Sequence, residues 1–485
     1  MPRTVAIIGS GFGGLCMAIA LKRFSSDHFI VFEKADRIGG TWRDNTYPGA
    51  ACDIMSHLYS YSFEPKPDWS RVYAEQPEIL AYLEHCADKY GVTPHVRLGT
   101  EIVEARYDEL RCVWNLRAAD GQTWKVDAVV VATGQLHKPA YPTIAGLDRF
   151  RGRRFHSARW DHDCDLAGAR IGVVGTGASA VQFVPPLVRD ASLLTLFQRS
   201  APWILPKFDR AYSAYEKTLY RLFPSLLSLS RTTKYLWGES RLIAFEQGGR
   251  YNELVRWVAT HHMEKAVPDA DRRAKLTPDY PPGCKRLIIS NDYFEALAKP
   301  NVSIVTEAIA HADEDGLVTD DGVRHPFDVL VFGTGFETTQ FIAPMRVVGE
   351  SGVELSDTWR DGAEAYLGIM AHGFPNFFVM YGPNTNLAHN SIVFMLEAQA
   401  HYVTECLALL DRERALALSP KAASVRAFSE EMQQRFSGSI WEAGCTSWYK
   451  TASGRNTNNW PGFTFEYWWR TRRPRRRDFD LERAH

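Results

Sequence analysis

Cysteine is scarce in this chain and poorly placed for its usual roles. The eight residues, Cys16, Cys52, Cys86, Cys112, Cys164, Cys284, Cys406 and Cys445, form no C-x-x-C pair and show no metal-ligand spacing. A disulfide scaffold and a structural zinc site are excluded, no metal ligand is assigned, and reduced thiols in a cytoplasmic protein are expected. An excess of one charge is missing too. Against 57 Asp+Glu stand 56 Lys+Arg, a formal net charge of -1, so there is no global attraction to nucleic acid or an acidic membrane. The local exception is the C-terminal set Arg470, Arg472, Arg473, Arg475, Arg476 and Arg477, read as a solvated tail with a binding patch as the alternative. Unbroken hydrophobic runs are absent. Val5–Leu21 and Ile171–Val188 carry no charge, but glycines interrupt both, so no membrane span is expected. The opening MPRTVAIIGSGFGG contains no basic segment leading into an apolar core and cleavage site, and no signal peptide is expected. Internal repeats of 20–50 residues are also missing, which argues against solenoids and propellers.

What is present is a soluble, core-forming composition, 45% hydrophobic and 23% charged over 485 residues, long enough for two or three domains. A larger doubling stands out. TVAIIGSGFGGLCMAIAL is echoed by RIGVVGTGASAVQFVPPL, each a short buried strand, a glycine turn and a helix start rich in small residues. The expected fold is therefore α/β, with two doubly wound, Rossmann-like dinucleotide-binding domains and a helical insertion. Residues 1–140 and 325–485 are assigned to a discontinuous first dinucleotide domain, 141–204 and 281–324 to the second, and 205–280 to the helical insertion. The return to the first domain is placed at DVLVFGTGF (328–336), which repeats the theme of AVVVATG (128–134).

In the first unit Gly9, Gly11 and Gly14 follow the strand VAII. They serve, in turn, the tight turn, the approach of backbone N–H groups to a pyrophosphate, and close helix–strand packing. Glu33 ends the next strand, where a carboxylate can accept from ribose hydroxyls. In the second unit Gly175, Gly177 and Ala180 repeat the pattern, and the following strand ends in Gln198, Arg199 and Ser200 rather than an acid. A guanidinium there can pair with a 2'-phosphate, which predicts NADPH over NADH. Arg199 as an ordinary surface arginine, with Lys207 reading the phosphate, remains the alternative. Two dinucleotide sites define a reductase-like flavoprotein, with FAD in the first and the hydride donor in the second. No redox cysteine pair is there to take the electrons, which leaves dioxygen as the leading acceptor.

Phe150, Gly152, His156, Trp160 and Asp161 stand in the order F-x-G-x-x-x-H-x-x-x-W-D just before the second glycine turn. This resembles the fingerprint of type I Baeyer–Villiger monooxygenases; related heteroatom oxygenases usually carry Phe or Tyr at the Trp160 position. The resemblance extends over nearly the whole chain. Gly39-Gly40-Thr41-Trp42 with Tyr47-Pro48-Gly49 and Cys52-Asp53 is similar to the family's flavin-contacting loop. Lys285-Arg286 is similar to its Lys-Arg pair, and Trp448 falls where it places an aromatic on the nicotinamide nucleotide. YGPNTNLAHNS and GCTSWY…GRNTNNWPG look closest to the acetophenone-monooxygenase-like branch. The resemblance implies FAD and NADPH as cofactors, ketone and O2 as substrates, and a C4a-peroxyflavin as oxygen donor. It implies Arg286 as the cation beside the flavin, Lys285 as an aid to the NADP phosphate, and the fingerprint as a coupler of the two domains. A buried Arg needs a counter-charge, and Asp53 is the candidate; a pair that merely braces two domains is the alternative reading. The competing functions are heteroatom oxygenation of sulfides or amines, and a non-catalytic FAD/NADPH-binding protein.

Overall fold

In the computed structural model, residues 2–245, 249–338, 341–442, 444, 449–451 and 453–483 are described. Thr4–Ile8 is a strand buried along nearly its whole length, as an apolar run covered on both faces requires. It pairs in parallel with His28–Phe32 and Ala128–Val131. Val96–Arg97 and Phe377–Val379 complete a five-stranded sheet in the order 377–379, 128–131, 4–8, 28–32, 96–97. The helix Phe12–Phe24 leaves the first glycine turn and packs against the long helix Ile392–Glu413.

A second five-stranded parallel sheet runs in the order 302–305, 193–197, 170–174, 329–332, 153–156, with the helix Ala178–Asp190 following its glycine turn. This corrects one expectation. The strand Val329–Phe332 pairs with Arg170–Val174 and Arg153–His156 in the second sheet, so it does not return the chain to the first. The return comes later, first at Arg346–Val348, which pairs with Ile102–Asp108, and then at Phe377–Val379 in the first sheet. Both VLVF and AVVV are short apolar strands buried on two faces, and nothing in such a run says which sheet it joins.

Between the second glycine turn and Lys285 lie the helices Ala214–Leu222, Pro224–Ser240, Arg250–Ala266 and Ala270–Leu276. The C-terminal arginines are not a simple tail. Phe479–Glu482 pairs with Ala417–Pro420, and Arg470 Nη1 donates to Glu431 Oε2 at 3.0 Å. Cys16, Cys52, Cys86, Cys112, Cys164 and Cys406 are free, whereas Cys284 is disulfide-bonded. The expectation of thiols throughout therefore fails at Cys284, because spacing along a chain does not show which sulfurs meet in space. Among the described residues no helix is long and apolar enough to cross a membrane, and no cluster of His, Cys, Asp and Glu could hold a metal.

Candidate active site

A cavity of about 910 Å³ runs between the two sheets. Both glycine turns open into it: Gly9, Gly11 and Gly13 from one side, Gly175 and Gly177 from the other. Gly9 has φ +106°, and a Cβ there would lie 2.6 Å from the Ala132 carbonyl oxygen. At Gly14 a Cβ would lie 1.9 Å from the Gly9 carbonyl oxygen, so helix and turn touch through bare backbone. Gly11 and Gly177 cap the two helices without any side-chain hydrogen bond. The leading N–H groups thus face a cavity able to hold a pyrophosphate.

Glu33 is buried, and four protein contacts hold it. Its Oε2 accepts from Ser10 N at 3.1 Å and Ser10 Oγ at 2.6 Å. Its Oε1 accepts from Ala35 N at 3.0 Å and pairs with Arg43 at 2.9 Å. Its carboxylate is thus fixed at the cavity wall. Thr41 begins a short helix, Thr41–Asp44, and the Trp42 indole N–H donates to Tyr59 Oη at 3.1 Å. Both line the cavity beside Gly39 and Gly40.

Arg286 and Asp53, 233 residues apart, meet as an ion pair. Arg286 Nε donates to Asp53 Oδ2 at 3.1 Å, and Nη2 makes a second, closer bond to the same oxygen. Burial alone would raise the Asp53 pKa, but the Arg286 guanidinium overrides it and holds the carboxyl below its usual range. Asp53 in turn raises the Arg286 pKa against the effect of burial. Arg286 is therefore a permanent cation, and about a third of its side chain remains open to the cavity (34%). Next to it, Lys285 Nζ donates to Ser200 Oγ at 2.8 Å. Burial first, and then the charge of Arg199, lower the Lys285 pKa. Arg199, Ser200 and Lys285 thus form a basic rim at the second glycine turn, where an added phosphate would relieve their mutual repulsion.

The F-x-G…W-D segment stands outside the cavity wall. Trp160 packs between Tyr47 of the first unit's loop (6.4 Å) and Phe183 of the second unit's helix (5.5 Å). Phe150 is buried. A Cβ at Gly152 would meet the Asp328 carbonyl oxygen at 2.4 Å, and Asp161 accepts from Arg153 Nε at 3.0 Å. His156 is fully buried, its Nδ1 accepts from Ala158 N at 3.1 Å, and burial lowers its pKa to about 4. It is neutral, and its ring packs against Tyr141 and Phe336. Its contribution to stability is fully present above about pH 6.5 and declines as the pH falls toward about 4. Unfolding of the holoenzyme should show a stability slope of about 1.4 kcal/mol per pH unit from this residue, which His156→Asn flattens.

Trp448 lies outside the described residues. Sequence reasoning passed over Gln182, whose Oε1 accepts from Tyr47 Oη at 2.9 Å and whose Nε2 donates to Ala51 O at 2.9 Å; it ties the flavin-side loop to the second helix. It also did not anticipate that YGPNTN and GRNTNNW would meet. Tyr381 Oη donates to Asn386 Oδ1 at 2.6 Å, and Asn386 Nδ2 donates to Asn459 Oδ1 at 2.7 Å.

Two glycine-turn domains sharing one cavity, with a permanent cation inside it, are the plan of a two-dinucleotide flavoprotein monooxygenase. The chain belongs to the flavin-binding monooxygenase-like family, whose model matches residues 2–345. It is 45% identical over 483 residues to a Baeyer–Villiger monooxygenase of Pseudomonas aeruginosa, spanning 99% of this chain and 91% of that one. Over 473 residues it is 46% identical to a Baeyer–Villiger monooxygenase of Streptomyces coelicolor, covering 97% and 91% of the two. Among solved structures, an oxidized steroid monooxygenase bound to NADP superposes with TM-score 0.88 at 30% identity, covering 99% of this chain and 100% of that one. Cyclohexanone monooxygenase from Rhodococcus sp. Phi1 bound to NADP+ gives 0.88 at 26% identity over the full length of both.

Proposed function

We propose that the protein is a cytoplasmic, FAD-dependent Baeyer–Villiger monooxygenase that converts ketone, O2, NADPH and H+ into ester or lactone, water and NADP+. The observation that carries this reading is the Arg286–Asp53 pair opening into the cavity between the two glycine turns. Bound FAD would take the hydride of NADPH and activate O2. Gly9 and Gly11 would hold its pyrophosphate, with Gly14 letting the helix pack close behind the turn and Glu33, Thr41, Trp42 and Asp53 around it. Gly175 and Gly177 would hold the NADPH pyrophosphate, with the buried Ala180 packing the helix behind them, and Arg199, Ser200 and Lys285 would take its 2'-phosphate.

Arg286 does the electrostatic work. Oxygen must attack the carbonyl carbon as an anion, and negative charge then gathers on the ketone's own oxygen. A fixed cation stabilises both, and Asp53 aims it. The fingerprint, through Trp160 and His156, couples the position of one nucleotide domain to the other.

The test is to supply the holoenzyme with NADPH, O2 and either acetophenone or thioanisole. Phenyl acetate from the ketone is the expected product; sulfoxide without any ester assigns the protein to the heteroatom oxygenases. A separate prediction concerns the cofactor. Arg199→Ala should raise the KM for NADPH about tenfold or more and leave that for NADH nearly unchanged, since only NADPH carries the phosphate. An unaltered NADPH/NADH preference in steady-state kinetics transfers that role to Lys285, because Lys207 Nζ lies 5.1 Å over the Tyr73 ring and does not line the cavity.

A further inference from the structure

The cavity holds a second, half-buried cation that the chemistry above does not use. Arg241 begins the short turn Arg241–Phe245 after the helix Pro224–Ser240, and it lines the same cavity as Arg286 and Asp53. Its guanidinium stacks 4.9 Å from the Trp237 ring. Among the described residues it makes no hydrogen bond and no ion pair.

Its neighbours explain why. Asp53 has given one oxygen to both nitrogens of Arg286. Glu239, two residues earlier, is already engaged, accepting from Asn390 Nδ2 at 2.6 Å, Thr464 N at 2.9 Å and Thr464 Oγ1 at 2.8 Å. The other groups that feel its charge include the hydroxyls of Tyr73 and Tyr251, the imidazole of His389, Asp53 and Arg286. Burial lowers the Arg241 pKa, and Asp53 only partly restores it.

Other inward-facing cations are provided for. Arg43 pairs with Glu33 and Asp44, Lys285 bonds Ser200, and Arg231 donates to the carbonyls of His57 and Ser60, each at 2.9 Å. Arg199 is exposed at the second glycine turn. Arg241 is set apart from that turn, on the helical insertion. A desolvated guanidinium without a counter-charge is unfavourable, and its planar fork matches a carboxylate with two parallel donors.

We propose that Arg241 is a specificity-determining residue that binds a carboxylate on the ketone, so that the preferred substrates are keto acids. The inference rests on the Baeyer–Villiger reading for the reaction and on Arg241 for the choice of substrate. The carboxylate docks on Arg241 while the ketone end lies toward Arg286. Oxygen then enters between the carbonyl carbon and its migrating neighbour, giving an ester that still bears the acid.

The test compares 7-oxooctanoate with 2-octanone, which share a methyl ketone and differ in the terminal carboxylate. Wild-type holoenzyme should favour the keto acid in kcat/KM. In Arg241→Met that preference should fall about a hundredfold, mostly through KM, and in Arg241→Lys about tenfold. Equal losses on both ketones, or a wild-type enzyme indifferent to the carboxylate, overturn the proposal. A second readout does not depend on turnover: the Kd of 7-oxooctanoate from the flavin spectrum of the oxidised holoenzyme. A weaker Kd in Arg241→Met supports the site, and an unchanged one refutes it. If the keto acid binds through Arg241 but neither ketone yields ester, the Baeyer–Villiger reading fails and the site stands.

Discussion

Replacing Arg286 with alanine will leave NADPH oxidation in place and cut ester formation about a hundredfold or more. A preorganised cation aimed at developing negative charge is typically worth about 3–4 kcal/mol of barrier. The hydride step needs no charge at that position, so flavin reduction followed by stopped-flow absorbance should stay within a few-fold of wild type. Arg286→Lys should recover little, because a single ammonium cannot reproduce both bonds to Asp53 Oδ2 while still facing the cavity. Asp53→Ala attacks the same unit from the other side, leaving a buried guanidinium without its counter-charge. A pair that only braced two domains behaves differently: the alanine variant would melt earlier, yet the folded fraction would make ester normally.

The second large effect is expected at Gly14. A methyl group there would sit 1.9 Å from the Gly9 carbonyl oxygen, far inside van der Waals contact, and the obstacle is backbone that no rotamer change can remove. Gly14→Ala must therefore push the helix Phe12–Phe24 away from the turn and spoil the alignment of its leading N–H groups. The purified variant should retain about a hundredfold less FAD than wild type, read from the ratio of flavin to protein absorbance. Gly13 is the control: a Cβ there finds its nearest neighbour, Leu396 Cδ2, at 3.4 Å, so Gly13→Ala should stay yellow.

Much of this architecture could be read along the chain because local chemistry dictates it. The glycine spacing, the acid ending the second strand and the basic end at Arg199 each follow from what a dinucleotide needs from a turn, a ribose contact or a phosphate contact. The Arg286–Asp53 pair was reached through family resemblance and the general need of a buried cation for a partner; no local pattern joins residues 233 positions apart. The strand Val329–Phe332 went to the wrong sheet because apolar strands buried on both faces look alike. The bond at Cys284, the bridging role of Gln182 and the lone guanidinium of Arg241 were invisible for one reason: each depends on what a side chain meets across the fold. Gln182 and Arg241 sit in helices or turns where such residues commonly face solvent.

The central claim is oxygen insertion next to a ketone carbonyl, and isotope labelling tests it most directly. Wild-type holoenzyme given NADPH, a ketone and 18O2 should yield ester carrying one 18O, located at the bridging oxygen, with one NADPH consumed per ester formed. NADPH consumption that ends entirely in hydrogen peroxide, or an ester whose bridging oxygen comes from water, would contradict the account.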